Sequence, residues 1–456
     1  MKKTKEIKVV KEFFLSGISE GDSYTFDNQI ASHSIDYTHG IHTYPAKFIP
    51  QIPRWAFKYA LLKENDIVFD PFTGCGTTMV EARLNKLNSY GTEINPLGRL
   101  MSHVKSNSIF PDNPTAIITY NKQLISKIKS DKSDILLNSK NPLFNFPEKW
   151  EFWFPKELLL ELMRIKKNIL GFKPSTLTTV NQKELKKLKD FYLITLSSIM
   201  KKASYFDERQ IKVRFKKNKF VKETPNVLEL FRSTLEKNTK KILNFISVVN
   251  NDGKFAEIVG DDAQKVNLNS DSVDFIVTSP PYINAIDYPM AHKYNLFLLD
   301  LVHPNDYKTH CRRYAGMTER AVKSSDYYEL KLTGYNEIDR FIKLIYSKGK
   351  TTDKNRAFIL FQYFSMMKNI MCECHRILKN GKKLIIVVGD NRIRGEYITT
   401  AKFIELIALD IGFKKETSFK HYYKNVRLKI NRHKTGGKID FETVLILLKW
   451  LFFLKN

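Results

Sequence analysis

The chain has 456 residues, enough for two or three structural units or for one large domain with insertions. Hydrophobic residues at 43% and aromatics at 12% can build a core and exclude a disordered chain. Lys and Arg number 75 against 48 Asp and Glu, and the resulting +27 attracts a polyanion; nucleic acid is the default partner, with a Lys-favouring genome the competing explanation.

The four cysteines, Cys75, Cys311, Cys372 and Cys374, make no disulfide framework in a chain this long and fit a reducing cytosol. Cys372, Cys374 and His375 are spaced too tightly for a zinc ligand set and read as one turn of a helix, so no metal is expected. Met1 to Val10 is Lys-rich without an apolar run and is not read as a signal peptide. Thr443 to Leu454 is apolar but interrupted by Lys449, too short for a bilayer, and reads as a buried last strand. No membrane partner is expected, and a prokaryotic cytoplasm is the expected location.

In chain order, residues 1–30 are a polar lead-in. His33, His39 and His42 precede Tyr44-Pro45-Ala46-Lys47-Phe48, and Pro45, Pro50 and Pro53 limit regular structure until about Trp55. From Asp66 the pattern becomes βα. Ile67-Val68-Phe69-Asp70 is a strand ending in an acid, Pro71-Phe72-Thr73-Gly74-Cys75-Gly76 is a glycine turn, a helix starts at about Thr77, and Ser89-Tyr90-Gly91-Thr92-Glu93 is a second strand ending in an acid. This is the nucleotide-binding half of a doubly wound sheet. Residues of about 110–250 switch to helical spacing and carry 28 Lys/Arg against 13 Asp/Glu between 121 and 250, densest from Arg209 to Lys222. The aromatic run Phe144, Phe146, Trp150, Phe152, Trp153, Phe154 reads as a small core. Strands resume at Glu257–Asp262 and Val273–Thr278, the latter delivering Ser279-Pro280-Pro281-Tyr282. Residues 300–355 look polar and irregular. A helix is expected over about 357–379, with strands at Lys382–Val388 and Phe441–Leu448.

Two motifs carry chemistry. In Asp70-Pro71-Phe72-Thr73-Gly74-Cys75-Gly76-Thr77-Thr78 the glycines let a ligand approach the backbone, and Glu93 on the next strand is placed to accept from ribose hydroxyls. The third glycine of a dinucleotide fingerprint is replaced by Met79, so the ligand need not carry a pyrophosphate. The bland alternative is an ordinary βα turn. In Thr278-Ser279-Pro280-Pro281-Tyr282 the prolines fix the backbone and leave carbonyls that only accept. A Ser hydroxyl and a Pro carbonyl held together suit an NH2 group, and Tyr282 offers a face for a stacked base. The bland alternative there is a rigid turn with a core tyrosine.

Together the two motifs resemble the amino-group DNA methyltransferases, which carry a DPF-G-GTT cofactor motif and a [DNS]PP[YFW] catalytic motif. The TSPPY form is similar to the cytosine-N4 branch, while N6-adenine enzymes more often have Asp or Asn at the Ser279 position. His42-Thr43-Tyr44-Pro45-Ala46-Lys47-Phe48 resembles the family's N-terminal motif at the methionine end of the cofactor. The resemblance covers roughly 31–105, 256–290 and, more loosely, 357–448. It implies a doubly wound, mostly parallel Rossmann-like α/β sheet with a largely helical insertion. The expected division is 1–108 with the cofactor loop, 109–254 as a basic helical insertion and candidate target-recognition region, and 255–456 with TSPPY and an insertion at 300–355. S-adenosylmethionine is the implied cofactor, held by Tyr44, Pro45, Lys47, Asp70, Phe72, Gly74, Gly76, Thr77, Glu93 and one of the pair Asp261 and Asp262. Ser279, Pro280, Pro281 and Tyr282 are the implied catalytic set.

The implied substrate is a cytosine flipped out of double-stranded DNA, methylated at N4, as in the modification half of a restriction system whose endonuclease acts independently. An N6-adenine enzyme, an RNA amino-methyltransferase and a silent DNA-binding protein are the alternatives. C5 methylation needs a cysteine after a proline, and no Pro-Cys pair exists. Lys212, Arg214, Lys216 and Lys217 are candidate phosphate contacts. Arg312, Arg313 and Arg320 are candidates for guanine edges, and Arg432 for a hairpin near the base pocket. A solvated basic face is the bland reading of them all.

Overall fold

The computed structural model describes residues 8–9, 18–26, 36–45, 47–110, 112–174, 181–210, 213–216, 219–220, 223–249, 252–283, 287–317, 319–422 and 441–450. Its centre is a nine-stranded sheet. The four strands that build the cleft are β3 (Ile67–Asp70), β4 (Asn88–Thr92), β5 (Ala256–Gly260) and β6 (Val273–Thr278). Next come β7 (Leu378–Val388), β10 (Phe413–Tyr422) and β11 (Phe441–Lys449), and the far edge holds β1 (Lys8–Val9) and β2 (Ser23–Thr25). The order is β1-β2-β10-β11-β7-β6-β3-β4-β5, and only β11 runs against its neighbours. A separate two-stranded ribbon pairs β8 (Asn391–Ile393) with β9 (Glu396–Ile398).

The strands read as near-continuous apolar runs because both faces are covered. In β7, Leu384, Ile386 and Val388 join the core on one face with Leu445 and Leu447. Ile385 and Val387 join the core on the other face with Val68, Phe275 and Val277. This is the period-two alternation of a strand buried on both sides. The first face is covered by α11 (Thr351–Ile377) and α12 (Thr400–Ile411), the second by α1 (Gln51–Tyr59) with Ala82 of α2 (Thr77–Leu84). The expected doubly wound, mostly parallel sheet is therefore present.

Between β4 and β5 the chain leaves the sheet. Helix α3 (Pro96–Ser106) starts at Asn95, whose side chain accepts from the Leu97 N–H, and four helices follow: α4 (Ala116–Ser130), α5 (Lys156–Leu170), α6 (Gln182–Ile199) and α7 (Val227–Val249). Their apolar faces share one core with α3 and with α8 (Tyr288–Leu298), the helix that follows TSPPY. The helical insertion is thus packed onto the elements that bracket the site. The 300–355 segment departs from the irregular reading: it holds α9 (Tyr307–Arg312) and α10 (Asn336–Tyr346), with short 3₁₀ turns. Isolated polar residues hid the α10 pattern, in which Ile338, Ile342 and Ile345 form the buried stripe. Cys372, Cys374 and His375 lie in α11, as the helix-turn reading expects.

A cleft at the carboxyl ends of four parallel strands

The sheet order turns back on itself between β3 and β6: from β3 the chain proceeds outward to β4 and β5, then returns to β6 on the other side. Such a reversal opens a crevice at the carboxyl ends of the strands. Here it is a cleft open to solvent. The loops leaving all four strands reach it: Asp70–Cys75 and Thr77 after β3, Glu93 and Ile94 after β4, Asp261–Ala263 after β5, and Ser279 with Pro281 after β6.

Asp70 fixes the floor. Its carboxylate accepts from the Phe72 N–H at 3.0 Å, from Thr78 Oγ1 at 2.6 Å and from Thr278 Oγ1 at 2.6 Å. The last bond ties the turn after β3 to the turn after β6. Burial nevertheless pushes the Asp70 carboxyl up to about 6, partly offset by those three donors.

Glu93 closes the glycine turn after β3. One carboxylate oxygen accepts from the Gly74 N–H at 2.7 Å and the other from the Asn95 N–H at 2.8 Å. Burial pushes this carboxyl up to about 7, with the two backbone donors and Arg99 pulling the other way. Gly74 sits at φ 57° and Gly76 at φ 86°, left-handed conformations that favour glycine. A Cβ on Gly98 would lie 2.8 Å from both Glu93 Cγ and the Gly74 carbonyl oxygen, so α3 can approach the turn only at a glycine.

The N-terminal segment is pinned beneath this frame. Fully buried Glu81 of α2 accepts from His39 Nε2 at 2.9 Å and from both Arg54 Nε and Nη2. Burial pushes His42 down to about 4, so its ring is neutral. Its Nδ1 donates to the Thr43 carbonyl at 2.7 Å, which leaves Nε2 to accept from Ser197 Oγ of α6 at 3.0 Å. Asn295 of α8 donates to the same Ser197 hydroxyl at 2.8 Å. These bonds bring Tyr44, Lys47 and Phe48 to the cleft, while Pro45 is half-buried beside it.

Three tyrosines face each other across the cleft: Tyr44, Tyr288 at the start of α8, and Tyr314 just past α9. Burial, then the Glu93 carboxylate, raises all three phenols, so they stay protonated. Tyr314 is hydrogen-bonded to His310 at 3.0 Å, and Met366 and Ile370 of α11 supply the apolar side.

The cleft brings together most of the residues singled out in the sequence. Tyr44, Lys47, Asp70, Phe72, Gly74, Thr77, Glu93, Asp261, Asp262, Ser279 and Pro281 line it. Gly76 stands behind the turn, Pro280 is buried, and Tyr282 is half-buried against the α11 core, just past the lining. The doubled acid divides its work. Asp261 reaches across to Arg313 Nη2 at 2.9 Å, whereas Asp262 caps its own turn by accepting from the Gln264 N–H.

The basic candidates fare differently. Arg313 lines the cleft. Arg312 has its fork committed to Asp326 at 2.8 and 3.0 Å and to the Ala321 carbonyl, and so ties together the 300–355 segment. Arg214 and Lys216 are exposed on the insertion, and Lys212, Lys217, Arg432 and the hairpin expected around it lie outside the described residues. Sequence reasoning missed Tyr288, Tyr314 and Met366. They come from α8, the turn after α9 and α11, and no local motif marks them.

The chain matches the DNA methylase family over residues 22–97, which span β2 to the start of α3. It is 24% identical over 438 residues to the Type II methyltransferase M.MvaI of Kocuria varians, covering 92% of this chain and 91% of that protein. It is 23% identical over 441 residues to the Type II methyltransferase M.BsoBI of Geobacillus stearothermophilus, covering 86% and 82%. The chain is thus similar to amino-group DNA methylases at its cofactor turn and to Type II methyltransferases over most of its length. Among solved structures it is similar to an S-adenosylmethionine-dependent methyltransferase from Methanosarcina mazei at 11% identity, covering 90% of this chain and 99% of that one with a TM-score of 0.29. The fold rests on the strand order itself and not on that likeness.

The cofactor is S-adenosylmethionine, and the cleft fits that group. It offers a carboxylate at the end of β4 for ribose hydroxyls, acids at the end of β5 for an adenine, and an aromatic wall for a soft cationic centre. Among the described residues no group of three or more His, Cys, Asp or Glu side chains is arranged to hold a metal ion. No helix among them is long and apolar enough to cross a membrane.

Proposed function

We propose that the protein is a site-specific DNA methyltransferase that modifies the N4 amino group of a cytosine flipped out of double-stranded DNA. The observation that carries this reading is the Thr278–Asp70 hydrogen bond, which holds the Ser279-Pro280-Pro281 turn in the same cleft as Gly74 and Glu93. This supports a reading in which the proline turn accepts from an amine beside a glycine turn that holds a nucleoside.

The residues divide the work as follows. Glu93 holds the ribose, Asp261 or Asp262 the adenine edge, and Tyr44, Pro45 and Lys47 the methionine end of the cofactor. When bound, the cofactor supplies an electrophilic methyl group. Ser279 Oγ and the Pro280 carbonyl accept the two N–H groups of the target amine, which localises its lone pair. Tyr282 stacks on the flipped base, and Pro281 keeps the turn rigid so that little reorganisation remains. Ser279, in place of an acid, supports cytosine over adenine. The relatives' Type II designation supports a role in restriction and modification, and a separate, independently acting endonuclease is part of the proposal. The basic helical insertion at 109–254 is the candidate reader of the DNA site.

Incubation with isotope-labelled S-adenosylmethionine and unmethylated genomic DNA, followed by digestion and mass identification of the nucleosides, tests the proposal. N4-methylcytosine is expected. N6-methyladenine would replace the choice of base, and label confined to RNA would sink the DNA assignment.

A further inference from the structure

Two large aromatic rings on the helical insertion stand in solvent. Phe152 is 55% exposed and Phe215 39% exposed, and their rings stack on one another at 4.7 Å and 27°. They are not loose. Residues 205–207 and 214–216 form a short antiparallel ribbon: the Asp207 N–H donates to the Arg214 carbonyl at 2.9 Å, the Lys216 N–H to the Tyr205 carbonyl at 2.8 Å, and Phe206 bridges Phe215. Phe152 packs edge-on against Trp153 at 4.9 Å, and Trp153 in turn contacts Phe206 at 5.3 Å and Tyr294 at 5.5 Å.

That stack reaches α8, the helix whose start borders the cleft. Tyr294 lies on α8, six residues from Tyr288 in the cleft wall. At the rise of an α-helix this is about 9 Å along the axis. Exposed Arg214 and Lys216 flank Phe215 in the chain, while exposed Arg209 is paired with Asp207 at 3.2 Å. A paired, solvent-facing aromatic surface with cations beside it in the chain has the composition of a base-stacking platform, in which rings meet nucleobases and cations meet phosphates. A duplex from which one base has been extruded presents such a base, because its former partner has lost its pairing and part of its stacking.

We infer that Phe152 and Phe215 form a stacking platform for bases of the DNA beside the flipped nucleotide, with Arg214 and Lys216 on the adjoining phosphates. The inference rests on the DNA reading above and adds to it a surface that neither the cofactor loop nor TSPPY supplies.

The test uses the full-length protein, a fluorescein-labelled 30-base-pair mixed-sequence duplex and the same duplex with one central mismatch. The Phe152→Ala/Phe215→Ala double variant should bind the mismatched duplex roughly tenfold or more weakly, as expected for lost base–aromatic stacking. Its cofactor affinity and melting temperature should remain those of wild type, and Phe152→Tyr/Phe215→Tyr should restore DNA binding. Unchanged affinity for both duplexes would overturn the platform even while wild type methylates DNA. So would a shift from dimer to monomer in sedimentation with no loss of DNA binding, which would assign the rings to self-association. Methyl transfer by wild type to RNA alone would overturn the DNA occupant together with the reading beneath it.

Discussion

Thr278 Oγ1 donates to Asp70 Oδ1 across 2.6 Å, joining residues 208 positions apart in the chain and the two loops that make the cleft. Neither β3 nor β6 alone would set the distance between the glycine turn after β3 and the proline turn after β6. The bond does so at the point where the strand order reverses.

Removing the hydroxyl with Thr278→Val should therefore cost more than packing. The Asp70 carboxylate loses one of its three donors, so its pKa rises further above about 6 and more of it is protonated at neutral pH. Stability should fall by about 1–3 kcal/mol, the range for a buried hydrogen bond left half-made. Methyl transfer should fall at least tenfold, and its pH profile should move to higher pH. Thr278→Ser keeps the donor and should recover most of both. Thermal unfolding and single-turnover transfer check this, and an unchanged rate in the valine variant would remove the bond from the mechanism.

Glu93 predicts a pH dependence of definite sign. Its carboxyl is raised from 4.5 to about 7 in the folded protein, so between those values the folded state holds the proton more often than the unfolded one. The stability contributed by Glu93 is therefore greatest at low pH and is lost as pH rises through about 7. Ribose hydroxyls need the ionised carboxylate as acceptor, so cofactor affinity should move the opposite way and rise between about pH 6 and 8. Glu93→Gln should flatten both curves, raise the melting temperature at pH 8 and weaken cofactor binding. Calorimetric titration over that range would expose a wrong assignment as a flat wild-type affinity.

Gly98→Ala tests the close approach of α3. The new methyl would sit 2.8 Å from Glu93 Cγ and from the Gly74 carbonyl oxygen, so the carboxylate or the turn must move. Cofactor affinity should drop tenfold or more while the protein stays folded, because alanine favours the helix over glycine by roughly 1 kcal/mol. Unchanged binding would mean that the carboxylate geometry does not matter for the ligand.

The part of the site legible in the sequence is the part whose chemistry is local. Asp70, Gly74 and Gly76 were readable because one turn must end a strand, pass through left-handed glycines and start a helix within seven residues. Ser279 and the prolines were readable because they follow an apolar strand directly. Arg312 and Arg313 were indistinguishable in sequence, and their fates are set by acids far away along the chain: Asp326 holds one, and Asp261 draws the other into the cleft. Tyr288 and Tyr314 depend on how α8 and α9 are laid over the strand ends. That placement is made by the shared core with the helical insertion, which no local pattern encodes. The α10 helix was hidden for a related reason, since its narrow isoleucine stripe sits among charged residues.

The central claim, that the TSPPY turn handles the base while the loops of β3 and β4 handle the cofactor, is tested most directly in Tyr282→Ala. Calorimetric cofactor affinity and the single-turnover rate of methyl transfer to genomic DNA should be measured on the same preparation. Affinity should stay within about threefold of wild type while transfer falls a hundredfold or more, a loss on the order of 3 kcal/mol in the transition state. Transfer at the wild-type rate, or affinity and transfer lost in equal measure, would contradict that division of labour.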